Sequence, residues 1–191
     1  MLSDFRSHAH RKKGIKTRGL SLLLIMVMML GLAGCNSLEE AVEKAKPLIP
    51  KGYTVVHIEQ IGDNSGIVFY TYEDELSAGI FSKSKFGWDW IGSSIGKLVT
   101  YPEGLQWRYA DLGDKKNQHS VYYGKVINKD ITKVTVTTTN GETVTGKIVD
   151  CDGLKLWYAF VSEPQMPSVN ADITGYSEDH KIIYLFSQPK D

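Results

Sequence analysis

At 191 residues, with 22 basic and 22 acidic side chains and no formal net charge at pH 7, the chain has room for one sizeable domain or two small ones. The neutrality is uneven, because residues 1–18 carry Arg6, Arg11, Lys12, Lys13, Lys16 and Arg18 against Asp4 alone. Without that basic head, 16 basic residues face 21 acidic ones, a net charge of minus five, so the remaining chain offers nucleic acid no basic surface.

After the basic head comes "GLSLLLIMVMMLGLAG", in which Leu20 to Leu30 are uncharged and, Ser21 apart, wholly apolar. About fourteen residues separate Leu20 from Ala33, whereas a spanning helix needs roughly twenty, so the segment reads as a removable export signal. Its end, Leu32-Ala33-Gly34-Cys35, resembles the lipobox of bacterial lipoproteins, in which an aliphatic residue and two small ones precede a cysteine. Small side chains at Ala33 and Gly34 admit an enzyme to an extended backbone, and a thiolate is a strong nucleophile for accepting lipid. The resemblance implies cleavage between Gly34 and Cys35, a diacylglycerol thioether on Cys35 and an added acyl chain of the palmitate class. Two or more chains hold a protein stably, since each buried methylene contributes about 0.8 kcal/mol. With Cys35 lipidated, Cys151 has no intramolecular partner and the exported body depends on its core. Cys151 stands between Asp150 and Asp152, whose carboxylates disfavour a thiolate, so an inert thiol is expected.

"SLEEAVEKAKPLIPKGY" predicts a short helix. Ser37 caps it, Glu39 and Glu40 fall in its first turn, Lys44 and Lys46 follow, and Pro47 and Pro50 end it. Leu38, Ala41, Val42 and Ala45 recur at helical spacing and form a stripe to pack on a sheet. From Tyr53 the period changes. "YTVVHIEQI" and "IVFYTYE" are strands around the turn "GDNSG", and "LSAGIFSKSKFGWDWIGSS" is a poorly alternating pair with a turn at Phe86-Gly87. "GKLVTYPEGLQWRYADL" supplies two more segments, and the polar break from Gly113 to Asn117 is the best internal boundary.

Beyond it, "HSVYYGKVI", "ITKVTVTTT", "ETVTGKIVD", "LKLWYAFVS", "NADITGY" and "KIIYLFS" are six β-rich runs about ten residues apart. Asn140-Gly141 is the strongest hairpin signal, as a turn in which both central residues take positive φ. Thr135, Thr137 and Thr139 alternate with Val134, Val136 and Thr138, as on a strand with one wet side. The expected fold is mainly β, α+β with one short N-terminal helix, built of antiparallel sheets, with an immunoglobulin-like sandwich over 118–191. The organisation expected is a signal peptide over 1–34, a tether and helix over 35–52, an N-terminal β-rich part over 53–114 and the sandwich-like part over 118–191. Its closing run "ITGYSEDHKIIYLF" is similar to exported β-domains of small lipoproteins of Gram-positive bacteria, bacilli especially, many without assigned activity.

Chemistry is sparse. Trp88 and Trp90 share a face in "FGWDWIG", and with Trp107 and Tyr109 of "LQWRYADL" they could build a platform for a sugar ring or peptide; the commoner use of such residues is core packing. His57 and Glu59, two apart, could share a strand face and supply two metal ligands, but no third is evident and no metal site is expected. His119 and His180 read as surface residues in turns. Ser93 and Ser94 fall in a turn with no histidine placed to serve them, and Asp63 and Asn64 are far from a complete calcium loop. No cofactor is expected.

These readings point to a membrane-anchored lipoprotein on the extracytoplasmic face of the cell membrane, not an enzyme, serving as a binding or accessory module for an envelope protein or cell-wall polymer. The rival is a small hydrolase or enzyme inhibitor with a site near Trp88, Trp90 and Trp107.

Overall fold

Ser37 begins the first helix as its sequence predicts: its hydroxyl accepts the Glu40 amide at 3.1 Å and its carbonyl accepts the Ala41 amide at 3.2 Å. The computed structural model describes residues 37–45, 52–72, 75–94, 98–100, 104–114, 117–162 and 171–187, all within the unit Cys35–Asp191. The leader with Leu32 to Cys35, and Pro47, Pro50, Pro164 and Pro167, lie outside the described residues. Helix α1, Leu38–Ala45, is too short to hold itself in water. It is held by burying Leu38, Ala41, Val42 and Ala45, the four stripe positions, against a sheet.

That sheet has the order β1 (Thr54–Ile61), β2 (Ser65–Tyr72), β3 (Glu75–Ser84) and β4 (Gly87–Ser94), each antiparallel to its neighbour. The following strands are β5 (Val99–Thr100), β6 (Leu105–Leu112), β7 (His119–Val126), β8 (Lys133–Thr138), β9 (Thr143–Cys151), β10 (Leu154–Val161), β11 (Ala171–Tyr176) and β12 (Ile182–Phe186). They form one eight-stranded order, β12-β11-β8-β9-β10-β7-β6-β5. The described residues are therefore mainly β and antiparallel with one short helix, and their sheets pack as in a sandwich. All six runs after residue 118 are strands. The polar break from Gly113 to Asn117 is a hairpin connection, since β6 and β7 pair from Leu105↔Val126 to Leu112↔His119. The change of sheet comes earlier, between Ser94 and Val99.

The layers explain which strands fail to alternate. One buried cluster lies between α1 and the four-stranded sheet, with Val68, Tyr70, Phe81 and Trp88 under the helix. A second joins the other face of that sheet, through Ile67, Phe69, Leu76, Ala78 and Ile80, to Ala110, Leu112, Val121, Tyr123, Leu156 and Tyr158. A third fills the opposite side of β6, β7 and β10, where Trp107, Tyr122 and Trp157 meet Val134, Val136, Ile173 and Tyr184. Strands β2, β3, β6, β7 and β10 thus contribute to two clusters each, and sequences covered on both faces lose the polar alternation of a half-wet strand.

Strand β9 lets one sheet supply both walls of the third cluster. Residues Thr143 to Gly146 pair with β8, whereas Lys147 to Cys151 pair with β10, so the strand passes from one layer into the other. At the centre of the facing wall, Gly124 is the register partner of Trp107 on β6 and of Trp157 on β10. A Cβ at Gly124 would lie 1.8 Å from the Gln106 carbonyl oxygen, the same oxygen that accepts the Trp157 indole N–H at 3.1 Å.

Two local expectations are corrected. The Asn140-Gly141 turn does not have two positive-φ residues: Gly141 has φ of 88°, and its amide donates to the Thr138 carbonyl at 3.0 Å, so Thr139 and Asn140 are the central pair and Gly141 follows as a bulge. The two-residue turn with both angles positive is Asp152-Gly153, at 51° and 89°, between the paired Cys151 and Leu154. The threonine side of β8 is also drier than expected, because Thr135 stands between Thr145 and Thr174 and is buried with Thr174.

The Gly124 contact sets a prediction. Gly124→Ala should destabilise by about 2–4 kcal/mol through overpacking and displacement of the β6 backbone, and a urea titration that leaves the midpoint unchanged would refute the close approach.

Candidate functional site

The aromatic residues singled out from the sequence do not form a platform. Trp88 is 6% exposed beneath α1, with the Lys83 ammonium 5.5 Å from its ring centroid. Trp90 packs edge-on against Phe81 at 5.1 Å in the same cluster. Trp107 lies in the third cluster, 4.9 Å from the Phe186 ring, and its indole N–H donates to the Tyr184 hydroxyl at 3.2 Å. Tyr109 packs 4.9 Å from Tyr122 and its hydroxyl donates to the Asp111 carboxylate. Two tryptophans therefore serve the helix side of the first sheet, while Trp107 and Tyr109 serve a different core. The bulky residue that shares Trp107's surroundings is Trp157, read from the sequence only as part of a strand.

The polar residues that do converge are His57, Glu59, Lys147 and Tyr158. Period two on β1 places His57 Nε2 3.3 Å from Glu59 Oε2, as the spacing predicts. Folding adds Lys147 from β9, whose ammonium donates to both Glu59 oxygens at 3.0 and 2.9 Å, and Tyr158 from β10, whose hydroxyl lies 3.2 Å from His57 Nε2. These partners are 88 and 101 residues away in sequence, beyond any local pattern. The His57 ring stacks on Phe69 at 6.2 Å, and Phe69 lies 5.0 Å from Tyr158, so the polar group sits at the margin of the inter-sheet core.

Partial burial pushes the Glu59 carboxyl up, but hydrogen bonds from Lys147, Tyr158 and His57 and the Lys147 charge outweigh it, leaving the group below the usual carboxylate range. Burial, reinforced by the Glu59 carboxylate, pushes Tyr158 up to about 12. The hydrogen bond to Glu59 raises Lys147 above the ordinary lysine value. Glu59 is thus held ionised and Tyr158 held neutral. The arrangement acts as an electrostatic clasp between the first sheet and the second.

The other residues considered from the sequence are placed apart. Among the described residues no group of three or more His, Cys, Asp or Glu could hold a metal ion, and Lys147 takes both oxygens of Glu59. Ser93 and Ser94 belong to strand β4 rather than to a turn, and the Ser94 carbonyl accepts the Tyr123 hydroxyl at 3.5 Å. Asp63 and Asn64 lie in the exposed β1–β2 turn, where the Asn64 carbonyl accepts the Lys83 amide at 2.8 Å. His180 is an exposed turn residue with φ of 62°, as expected of a surface position. His119 is only partly exposed: it opens β7 opposite Leu112, its Nε2 is buried without a hydrogen-bond partner, and burial lowers its pKa. Cys151 is half-buried at the end of β9, and burial first, then Asp150 and Asp152, raise its thiol pKa. No helix among the described residues is long and apolar enough to cross a membrane.

Two measurements follow. Acrylamide should quench the native tryptophan fluorescence weakly, because Trp88, Trp107 and Trp157 are buried and Trp90 is half-covered; quenching approaching that of free indole would contradict the packing. Glu59→Gln should cost less than about 1 kcal/mol at pH 7, since the clasp is partly solvated. The folded-state pKa of Glu59 is depressed, so its contribution is present above the unfolded value of about 4.3 and is lost as pH falls through the folded value. Urea titrations at pH 7 and pH 3 should accordingly show the gap between parent and variant closing in acid. The chain matches no protein-family model, no curated protein and no solved structure.

Proposed function

We propose that this chain is an exported lipoprotein, cleaved before Cys35 and anchored by acyl chains on that residue at the extracytoplasmic face of the cell membrane, whose β body is a non-catalytic accessory module for an envelope protein. The placement rests on the basic, apolar and small-residue order of residues 1–34 and on Leu32-Ala33-Gly34-Cys35. The observation that carries the module reading is the edge of the larger sheet. Strand β12 ends the strand order and exposes Ile182 at 60% and Leu185 at 59% beside a core that is filled. An apolar terminal strand suits addition of a partner's strand, where backbone hydrogen bonds supply affinity and alternate side chains supply specificity. This favours a protein over a polysaccharide, whose rings bind to aromatic platforms that these tryptophans do not form.

Cys35→Ser should leave residues 1–34 uncleaved and the acyl mass absent, as read by intact mass spectrometry of protein from native membranes. Ile182→Lys combined with Leu185→Lys should abolish photocrosslinking of an envelope protein from β12 while leaving the thermal midpoint within a few degrees of the parent. Crosslinking that persists in the double variant would remove β12 as the contact.

A further inference from the structure

The route from Cys35 into the fold is short in sequence. Only Asn36 and Ser37 separate Cys35 from Leu38, whose side chain is docked: a Cβ at Gly66 would lie 2.3 Å from Leu38 Cδ2. Gly66 pairs with Phe81 on β3, and further toward the strand end Ser84 pairs with Gly87 to close the β3–β4 turn. At the other end of α1, Glu43 lies near Tyr53, at the start of the β1 side of the sheet. The helix N-terminus is therefore directed toward the β3–β4 turn.

That turn is braced and apolar at its apex. The Ser84 hydroxyl shares its one proton between the Gly87 carbonyl at 3.3 Å and Asp89 Oδ2 at 3.1 Å, and it accepts the Phe86 amide at 3.2 Å. Phe86 is 60% exposed, with the Lys85 ammonium 4.8 Å from its ring centroid. Three strand steps carry β3 from Phe81 to Ser84, about 10 Å, with Phe86 in the two-residue turn just beyond, and three peptide units from Leu38 back to Cys35 can reach at most about 10 Å. That reach is long enough for a lipid on Cys35 and the Phe86 ring to meet one interface, whose apolar side chains are buried to a depth of about 5–10 Å.

We infer that the β3–β4 turn is a second membrane contact, with Phe86 seated at the boundary of headgroups and acyl chains beside the lipidated Cys35, so that the body stands on one end with a fixed orientation. This rests on the lipidation of Cys35 proposed above. The occupant is the bilayer interface itself rather than an anionic headgroup, because Lys83 and Lys85 are offset by Asp63 and Asp89 on the neighbouring turn and strand.

The test uses the full chain, processed in its native host, purified in detergent and reconstituted into phosphatidylcholine vesicles with or without brominated acyl chains. The Phe86→Trp variant adds an indole at the apex, and its spectrum minus that of the parent reports that site. The expected result is at least twofold quenching of the difference signal by brominated lipid, a blue shift on reconstitution and little response to aqueous acrylamide. A difference signal insensitive to bromine and fully quenched by acrylamide, in protein whose intact mass shows acylated Cys35, overturns the turn contact and leaves the lipoprotein reading standing. An intact mass with a bare Cys35 and residues 1–34 retained overturns both. A thermal midpoint matching the parent establishes that the variant is folded.

Discussion

The row Trp107, Gly124 and Trp157 is the constraint around which the larger sheet is arranged. The two indoles stand on β6 and β10, either side of β7, because β7 carries no side chain at Gly124 between them, and the β6 backbone fills that space through the Gln106 carbonyl. Both indole N–H groups are satisfied, one by Tyr184 across the core and one by Gln106 within the sheet, so burying them leaves no orphaned donor. Because β6, β7 and β10 present Trp107, Tyr122 and Trp157 to one side and Leu112, Tyr123 and Tyr158 to the other, the same three strands wall two cores. The four-stranded sheet repeats the device on a smaller scale, with α1 covering the face turned away from the second sheet.

This layering also sets how much was legible in the sequence. The helix's start and its buried face were legible, because an amphipathic stripe such as Leu38, Ala41, Val42 and Ala45 encodes its own buried face. The strands were legible from turn residues and β-rich composition. What "IVFYTYE" and "LKLWYAFVS" could not convey is which face meets which partner, since a strand covered on both sides carries no polar marker for either. Trp88 and Trp107 looked like neighbours in a short stretch of chain, yet the change of sheet after Ser94 sends them to separate cores. The positive-φ turn was placed at Asn140-Gly141 by residue preference alone; the one-residue bulge there and the tighter turn at Asp152-Gly153 follow from strand register, a property of paired chains.

The clasp at His57, Glu59, Lys147 and Tyr158 shows the same division. Local periodicity brought His57 and Glu59 together on β1, and only the stacking of sheets supplied Lys147 and Tyr158. Their mutual interactions drive Glu59 and Tyr158 in opposite directions, each toward the protonation state that best satisfies the other. A constellation of histidine, carboxylate, lysine and tyrosine thereby links β1 to β9 and β10. Its partial exposure keeps the energy small.

The bond from Trp107 to Tyr184 joins residues 77 positions apart, and it lies in a core whose far wall is built from the last strands of the chain. A polypeptide emerging amino end first presents Trp107, Tyr122 and Trp157 well before Ile173 and Tyr184 exist to cover them. Such long-range closure makes folding slow relative to helical chains of similar size. The nascent body consequently passes through an interval in which its greasiest side is uncovered, and the strand that ends that interval is among the final few to be made.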